Sequence, residues 1–324
     1  MMSEFLPTDA LSQSQKTLGR LKEAVGQRIK GKDDVIDQAL ICLAANGHVL
    51  IEDLPGVGKT TLAYCLSKAM RVEFKRIQFT SDLLPTDVTG VSIYDERDRA
   101  FHFKPGPIFS NIVLADEINR ATPKTQSSLL EVMDHGKVTV DGETREVGNP
   151  FMVIATQNPV DYEGTFPLPE SQMDRFLMRL QMGYPSPESE LSILSKSDYG
   201  YGDFEVENAV EPSEILAIQQ AVPQVYLEPS VLEYILKLVT GTRTESEFKA
   251  GVSVRGSIAL KTASQARALY FGRDFVMPDD VLAVALPVMA HRLNLRRPSS
   301  DALEERRLVE GILSRLLSAV EMPK

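Results

Sequence analysis

Cysteine is scarce: Cys42 and Cys65 are the only two in 324 residues, and neither has a CxxC partner. That leaves no disulfide framework, and the four scattered histidines suggest no metal site. Both thiols fall in apolar, helix-like stretches, so they read as buried free cysteines of a reducing cytoplasm. No apolar run approaches the roughly 18–20 residues needed to cross a bilayer. The opening MMSEFLPTDALSQSQ lacks the basic and apolar segments of a signal peptide. Internal repeats and low-complexity tracts are missing too. Basic charge is in deficit, with 35 Lys+Arg against 45 Asp+Glu and a net charge of −10. Nucleic-acid binding draws on clustered cations, so that balance speaks against such a partner. The remaining composition, 43% hydrophobic and 25% charged, is that of a globular chain with room for two domains.

Leu18, Leu21, Val25 and Ile29 recur three or four residues apart, which predicts a helix over 11–29. Gly31 breaks it, and Asp33 or Asp34 is placed to cap a second helix running to about Asn46. HVLIED (48–53) then reads as a strand leading through glycines into a helix. FKRIQF (74–79), NIVLADE (111–117), FMVIAT (151–156) and RFLMRLQM (175–182) are further short apolar runs. Strands of this kind separated by helices form a parallel sheet covered on both faces, an α/β fold. After Tyr184, YPSPE reads as a linker, because two close prolines do not sit inside a helix. Beyond it five segments carry helical periodicity with no strand signal, an all-α bundle of about 130 residues. Two insertions, 92–108 and 135–148, have the lengths of projecting elements, and KVTV-DG-ETREV in the second reads as a hairpin.

The chemistry centres on LPGVGKT (54–60) between strand and helix. Gly56 and Gly58 let successive N–H groups turn inward on phosphate oxygens, and the helix N-terminus adds its dipole. Lys59 supplies a point charge, and Thr60 a hydroxyl for Mg²⁺. The general GxxxxGK[ST] pattern has glycine where Asp53 stands; aspartate is among the residues that tolerate a left-handed conformation. NIVLADE delivers Asp116 and Glu117 at a strand's C-terminal edge, where open α/β sheets bind ligands. Asp116 suits Mg²⁺ ligation, and Glu117 suits polarising an attacking water. Asn158 ends another buried run and can position water against a γ-phosphate. Arg175 in LPESQMDRF is the candidate for an arginine supplied to a neighbour, with Arg179 in reserve. Arg255 in GVSVRGS opens a helix of the bundle, from which it can reach the γ-phosphate and report hydrolysis.

Taken in order, IEDLPGVGKT, DLLPTDVTG, KPGPIF, VLADEINRATPKTQSSLLEVM and ATQNPVDYEGTFPLPESQMDRF closely resemble the MoxR family of AAA+ ATPases over about residues 20–185. The resemblance implies a five-stranded parallel sheet of order 5-1-4-3-2 in residues 1–185, with a helical lid in 186–324. It also implies inserts at about 92–108 and 135–148, and self-assembly into rings, commonly hexameric. It assigns Pro55, Gly56, Val57, Gly58, Lys59, Thr60 and Thr61 to the nucleotide loop, ATP/ADP with Mg²⁺ to the site, and Thr60 with Asp116 to the metal. Glu117, Asn158, Arg175 and Arg255 become the catalytic glutamate, sensor 1, arginine finger and sensor 2. Val254 stands where the family usually has proline, and Ile29, Lys30 and Gly31 look like the segment that edges the adenine. The family implies chaperone-like action on protein complexes, often beside a partner with a von Willebrand factor A domain. Rival readings are an MCM-like nucleic-acid motor, the ATPase subunit of a metal chelatase, and an ATP-gated switch with weak hydrolysis.

Overall fold

The apolar runs become strands because alternate residues enter two separate cores. The computed structural model describes residues 7–158, 164–195, 206, 208–299 and 301–323. Its central strands are β1 (Val49–Glu52), β2 (Phe74–Gln78), β3 (Ile112–Asp116), β4 (Met152–Gln157) and β5 (Met178–Leu180). All pair in parallel in the order β2-β3-β4-β1-β5, the expected order read from the other edge. Val49, Ile51, Ile112, Leu114, Met152 and Ile154 face one core, shared with the helices Thr8–Gly26, Asp33–Ala44 and Lys59–Ala69. Leu50, Val113, Ala115, Val153 and Ala155 face the other, packed by Leu129, Leu130 and Val132 of the helix Pro123–His135. Burial of both strand faces is what permits the nearly continuous apolar runs.

The C-terminal half is built largely from the helices Pro212–Ala221, Pro229–Thr244, Val254–Tyr270, Pro278–Met289 and Ala302–Ala319. Their buried residues, Ile235, Leu260, Val284 and Leu313 among them, join the first core and are continuous with Leu18, Leu21 and Leu40.

Four local expectations need correction. The edge strand β2 is not covered on both faces, since Lys75, Arg76 and Gln78 are exposed. Neither Asp33 nor Asp34 caps the second helix; Lys32 holds the N-cap position, and no side chain caps it. Pro187 opens a helix (Pro187–Leu194) behind Ser186, whose hydroxyl accepts from the Ser189 N–H at 3.2 Å. Proline is well suited to a first helical turn, where its missing N–H costs nothing. The helical half also contains a small antiparallel pair, Phe248–Ala250 with Asn294–Leu295, too short to carry a periodicity signal.

Both insertions are β-ribbons. Gly90–Asp95 pairs with Ala100–Pro105, and Lys137–Val140 with Glu143–Glu146. Asp141 (φ 53°) and Gly142 (φ 81°) turn the second ribbon with the positive φ pair that a tight hairpin needs. The ribbons touch: the Ser92 hydroxyl donates to Asp141 at 2.5 Å, and the Arg145 guanidinium lies 4.1 Å from the Phe103 ring centre. Cys42 and Cys65 are buried and free, and burial pushes the Cys65 thiol up to about 11. Among the described residues, no helix is long and apolar enough to cross a membrane.

His48, just before β1, fastens the sheet to the helix Pro123–His135. Its Nε2 donates to the Met133 carbonyl at 2.9 Å, and its Nδ1 accepts from the Val153 N–H at 3.0 Å. Those two partners fix the neutral tautomer. Complete burial lowers its pKa to about 4, and buried His291 is lowered in the same direction. The unfolded chain therefore takes up protons that the folded chain refuses. Stability is full above about pH 6.5 and falls as pH drops toward 4, by about 3 kcal/mol from His48 alone. Urea midpoints measured from pH 7 to pH 4 should show this loss, with a smaller slope for His48→Gln. An equal slope in the variant would contradict the assignment.

Candidate functional site

The turn after β1 is built on two left-handed glycines, Gly56 (φ 82°) and Gly58 (φ 95°). Gly58 is the N-cap of the helix Lys59–Ala69, and no heavy atom lies within 4 Å of where a Gly56 Cβ would stand. The loop is thus a concave run of backbone with open space before it, at a helix N-terminus. Asp53 needs no left-handed conformation, which corrects the reason for its tolerance there. Its carboxylate accepts instead from the Leu54 N–H at 2.8 Å and the Gly183 N–H at 2.5 Å, tying the loop to the chain after β5. Lys59 donates to the Asp53 carbonyl at 2.7 Å. Burial pulls the Lys59 ammonium down, while the nearby carboxylates of Asp53, Asp116 and Glu117 push the other way. Lysine and both acids therefore share one electrostatic neighbourhood at the C-terminal edge of the sheet. Glycine cradle, partly buried lysine, hydroxyl of Thr60 and paired carboxylates together fit a magnesium-bound nucleotide.

The acids are held from neighbouring strands. Thr156 on β4 donates to Asp116 Oδ1 at 2.6 Å and accepts from the Glu117 N–H at 2.9 Å. Arg76 on β2 donates to Asp116 Oδ2 at 2.6 Å. Gln78, two residues on along the same strand face, donates to Glu117 Oε2 at 3.0 Å, and Arg120 Nε lies 3.0 Å from the same carboxylate. Glu117 itself adopts a left-handed backbone (φ 56°, ψ 49°), a conformation costing roughly 1 kcal/mol for this residue type and concentrated at functional sites. Asn158 follows β4 at that edge and lines a cavity of about 440 Å³ with Glu52, Asn119, Gln157, Arg179 and Arg306. Ile29 is buried, and Gly31 (φ 68°) lies against Ser189 of the helix Pro187–Leu194. Residues 159–163 of the quoted ATQNPVDYEG stretch lie outside the described residues.

The arginines separate differently. Arg179 is buried, with Nη2 2.5 Å from Glu310 and Nη1 3.3 Å from Glu52, and Arg306 also pairs with Glu52. That cluster ties β1 and β5 to the helix Ala302–Ala319 and removes Arg179 as the reserve finger. Arg175 and Arg255 instead meet on one carboxylate. Arg175 Nη1 lies 2.8 Å from Asp134 Oδ2, and Arg255 pairs with Asp134 Oδ1. Asp134 follows Met133, whose carbonyl holds His48, so the trio sits where β1 begins. Lys59 lies beyond the other end of that strand, which spans roughly 13 Å at 3.3 Å per residue. Arg255 is therefore not brought to this chain's own nucleotide loop. Sequence reasoning missed Arg76, Gln78, Thr156 and Asp134. The only signal for the first two was a polar face of period two in an otherwise strand-like run.

The chain matches the ATPase family associated with various cellular activities (AAA) over residues 48–178 and the AAA lid domain over 240–312. It is 37% identical to Chaperone MoxR1 of Mycobacterium tuberculosis, across 98% of this chain and 85% of that protein. The chain belongs to the MoxR family of AAA+ ATPases. Other members are Protein MoxR of Methylorubrum extorquens, 29% identical across 91% of this chain and 92% of that protein, and its Paracoccus denitrificans counterpart. An uncharacterized Bacillus subtilis protein, YeaC, shares 48% identity across 94% of this chain and 95% of its own length. A solved structure of a provisionally assigned ATPase from Cytophaga hutchinsonii superposes with a TM-score of 0.86 at 36% identity, covering 98% of both chains. Nucleotide binding and ATPase chemistry are the family's common ground.

Proposed function

We propose that this chain is a magnesium-dependent ATP hydrolase that assembles into a ring, of six copies in the family's usual form, and remodels partner protein complexes in the cytoplasm. The observation that carries the reading is the parallel register of β1, β4 and β3, which brings the glycine loop with Lys59 and the acids Asp116 and Glu117 to one C-terminal sheet edge. In this reading the N–H groups of 55–61 and the Lys59 ammonium bind the phosphates, while Ile29, Lys30 and Gly31 border the base. Magnesium, held by Thr60 and Asp116, supplies charge neutralisation at the β- and γ-phosphates. Glu117 orients and polarises the attacking water, and Asn158 positions it. Gln78 and Arg120 orient the Glu117 carboxylate, while Thr156 and Arg76 orient Asp116. Because Arg175 and Arg255 lie at the far edge, they serve the nucleotide of an adjacent copy. Residues 1–185 and 186–324 act as the two moving units.

Client recognition falls to the two ribbons. Ile93, Tyr94 and Phe101 are exposed on the first, and such apolar surface suits protein more than phosphodiester. A partner with a von Willebrand factor A domain fits this scheme as the adaptor. Turnover measured with ATP and Mg²⁺, alone, with an unfolded model protein and with duplex DNA, tests the reading. The expected result is magnesium-dependent turnover that responds to protein and ignores DNA. Stimulation by DNA alone would overturn it in favour of a nucleic-acid motor.

A further inference from the structure

Two guanidinium groups from distant parts of the chain share a single carboxylate, and that sharing is incomplete. Arg175 lies in the segment leading into β5, and Arg255 in the first turn of the helix Val254–Tyr270. Asp134 gives one oxygen to each. Two positive charges against one negative leave the trio at +1. The neighbouring acid offers no further relief, because Asp174 is taken by Arg292 Nε at 2.6 Å and by the Ser253 hydroxyl at 2.8 Å. His48, packed against the same helix end, is neutral. Arg175 also donates to the Leu130 carbonyl, yet its buried Nε has no hydrogen-bond partner in the structure. A buried guanidinium N–H left unpaired is costly, and guanidinium forks match phosphate oxygens geometrically. Arg255 is half exposed, so the open side of the trio faces outward.

We infer that Asp134 is a positioning residue: it yokes Arg175 of the core to Arg255 of the lid as one anion-receiving pair, presented to the terminal phosphate of ATP bound on an adjacent copy. The inference rests on the proposed trans role of the arginines. Without the carboxylate the two cations repel each other and separate, one following the core and the other the lid. With it, movement of either unit carries both guanidiniums together, so the pair engages or withdraws as one. Asp134 touches neither nucleotide nor water; it acts through the arginines.

The test uses the full chain and ATP. Asp134→Asn should lower kcat by about tenfold or more, with ATP affinity and thermal midpoint close to wild type. Mixed with Glu117→Gln copies, which supply an intact arginine pair to their neighbours, it should regain turnover above that of either variant alone. Asp134→Glu, which keeps the charge, should retain most activity. Adding Asp134→Asn to an Arg175→Ala/Arg255→Ala chain should cost nothing further, which a purely structural role would not produce. Wild-type kcat in Asp134→Asn overturns the inference, as does an additional loss in the triple variant. Arg175→Ala mixed with Glu117→Gln serves as the control for the trans reading. If that mixture recovers while Asp134→Asn with Glu117→Gln does not, only the role of Asp134 falls. If neither recovers, the trans reading falls with it.

Discussion

Glu117→Gln should bind ATP as tightly as the parent chain and turn it over roughly 10²–10⁴-fold more slowly. The amide keeps the shape of the carboxylate but cannot polarise or accept a proton from water. Most of the surrounding arrangement is indifferent to the change. The Thr156 hydroxyl bonds the residue-117 backbone N–H and Asp116, not the Glu117 side chain. The left-handed backbone at 117 is also retained, so the variant tests chemistry and not folding. Two contacts do alter: the Arg120 guanidinium faces an amide in place of the Glu117 carboxylate, and so does the Gln78 amide. Both are partly exposed, so their loss costs little stability. Single-turnover hydrolysis, read beside nucleotide affinity on the same preparation, separates the outcomes. Near-normal hydrolysis would assign the base to another residue.

What the sequence disclosed follows from how local each feature is. Gly56, Gly58 and Lys59 carry their meaning within seven consecutive residues, since a strand, a left-handed turn and a helix start are all set by nearby backbone preferences. Asp116 and Glu117 were legible because four buried residues precede them and fix which end of the strand they occupy. The hairpin at 135–148 announced itself through the Asp141–Gly142 turn. Features set by neighbouring strands were not legible. Gln78 reaches Glu117 because β2 registers against β3 with Gln78 opposite Asp116, a pairing no linear pattern encodes. Thr156 depends in the same way on β4 lying beside β3. Which edge Arg255 stands at was not legible for a related reason. A helix-start arginine says that it is available to an anion, but only the packing of that helix against Asp134 fixes which edge of the sheet it serves. Arg179 and Arg175 look alike in sequence, four residues apart, and burial with Glu52 and Glu310 distinguishes them.

Lys59→Ala should abolish useful nucleotide binding. The ammonium is partly buried, feels the charge of the Asp53, Asp116 and Glu117 carboxylates, and is held in place by the Asp53 carbonyl. Removing it takes away one positive charge from the loop, and Arg76 and Arg120, which pair with Asp116 and Glu117, do not replace it among the loop N–H groups. Loss of a charge-assisted hydrogen bond alone is worth about 1.5–3 kcal/mol. Added repulsion from the carboxylates brings the expected loss of affinity to roughly a hundredfold or more. The fold should tolerate the change, because Gly58 still begins the helix and alanine favours it. Titration of a fluorescent ATP analogue into wild-type and Lys59→Ala chains, in the presence of Mg²⁺, is the most direct measurement. Saturable binding by the parent, with none by the variant over the same range, is the predicted result. Equal affinity in the two would mean that residues 54–60 do not hold the phosphates.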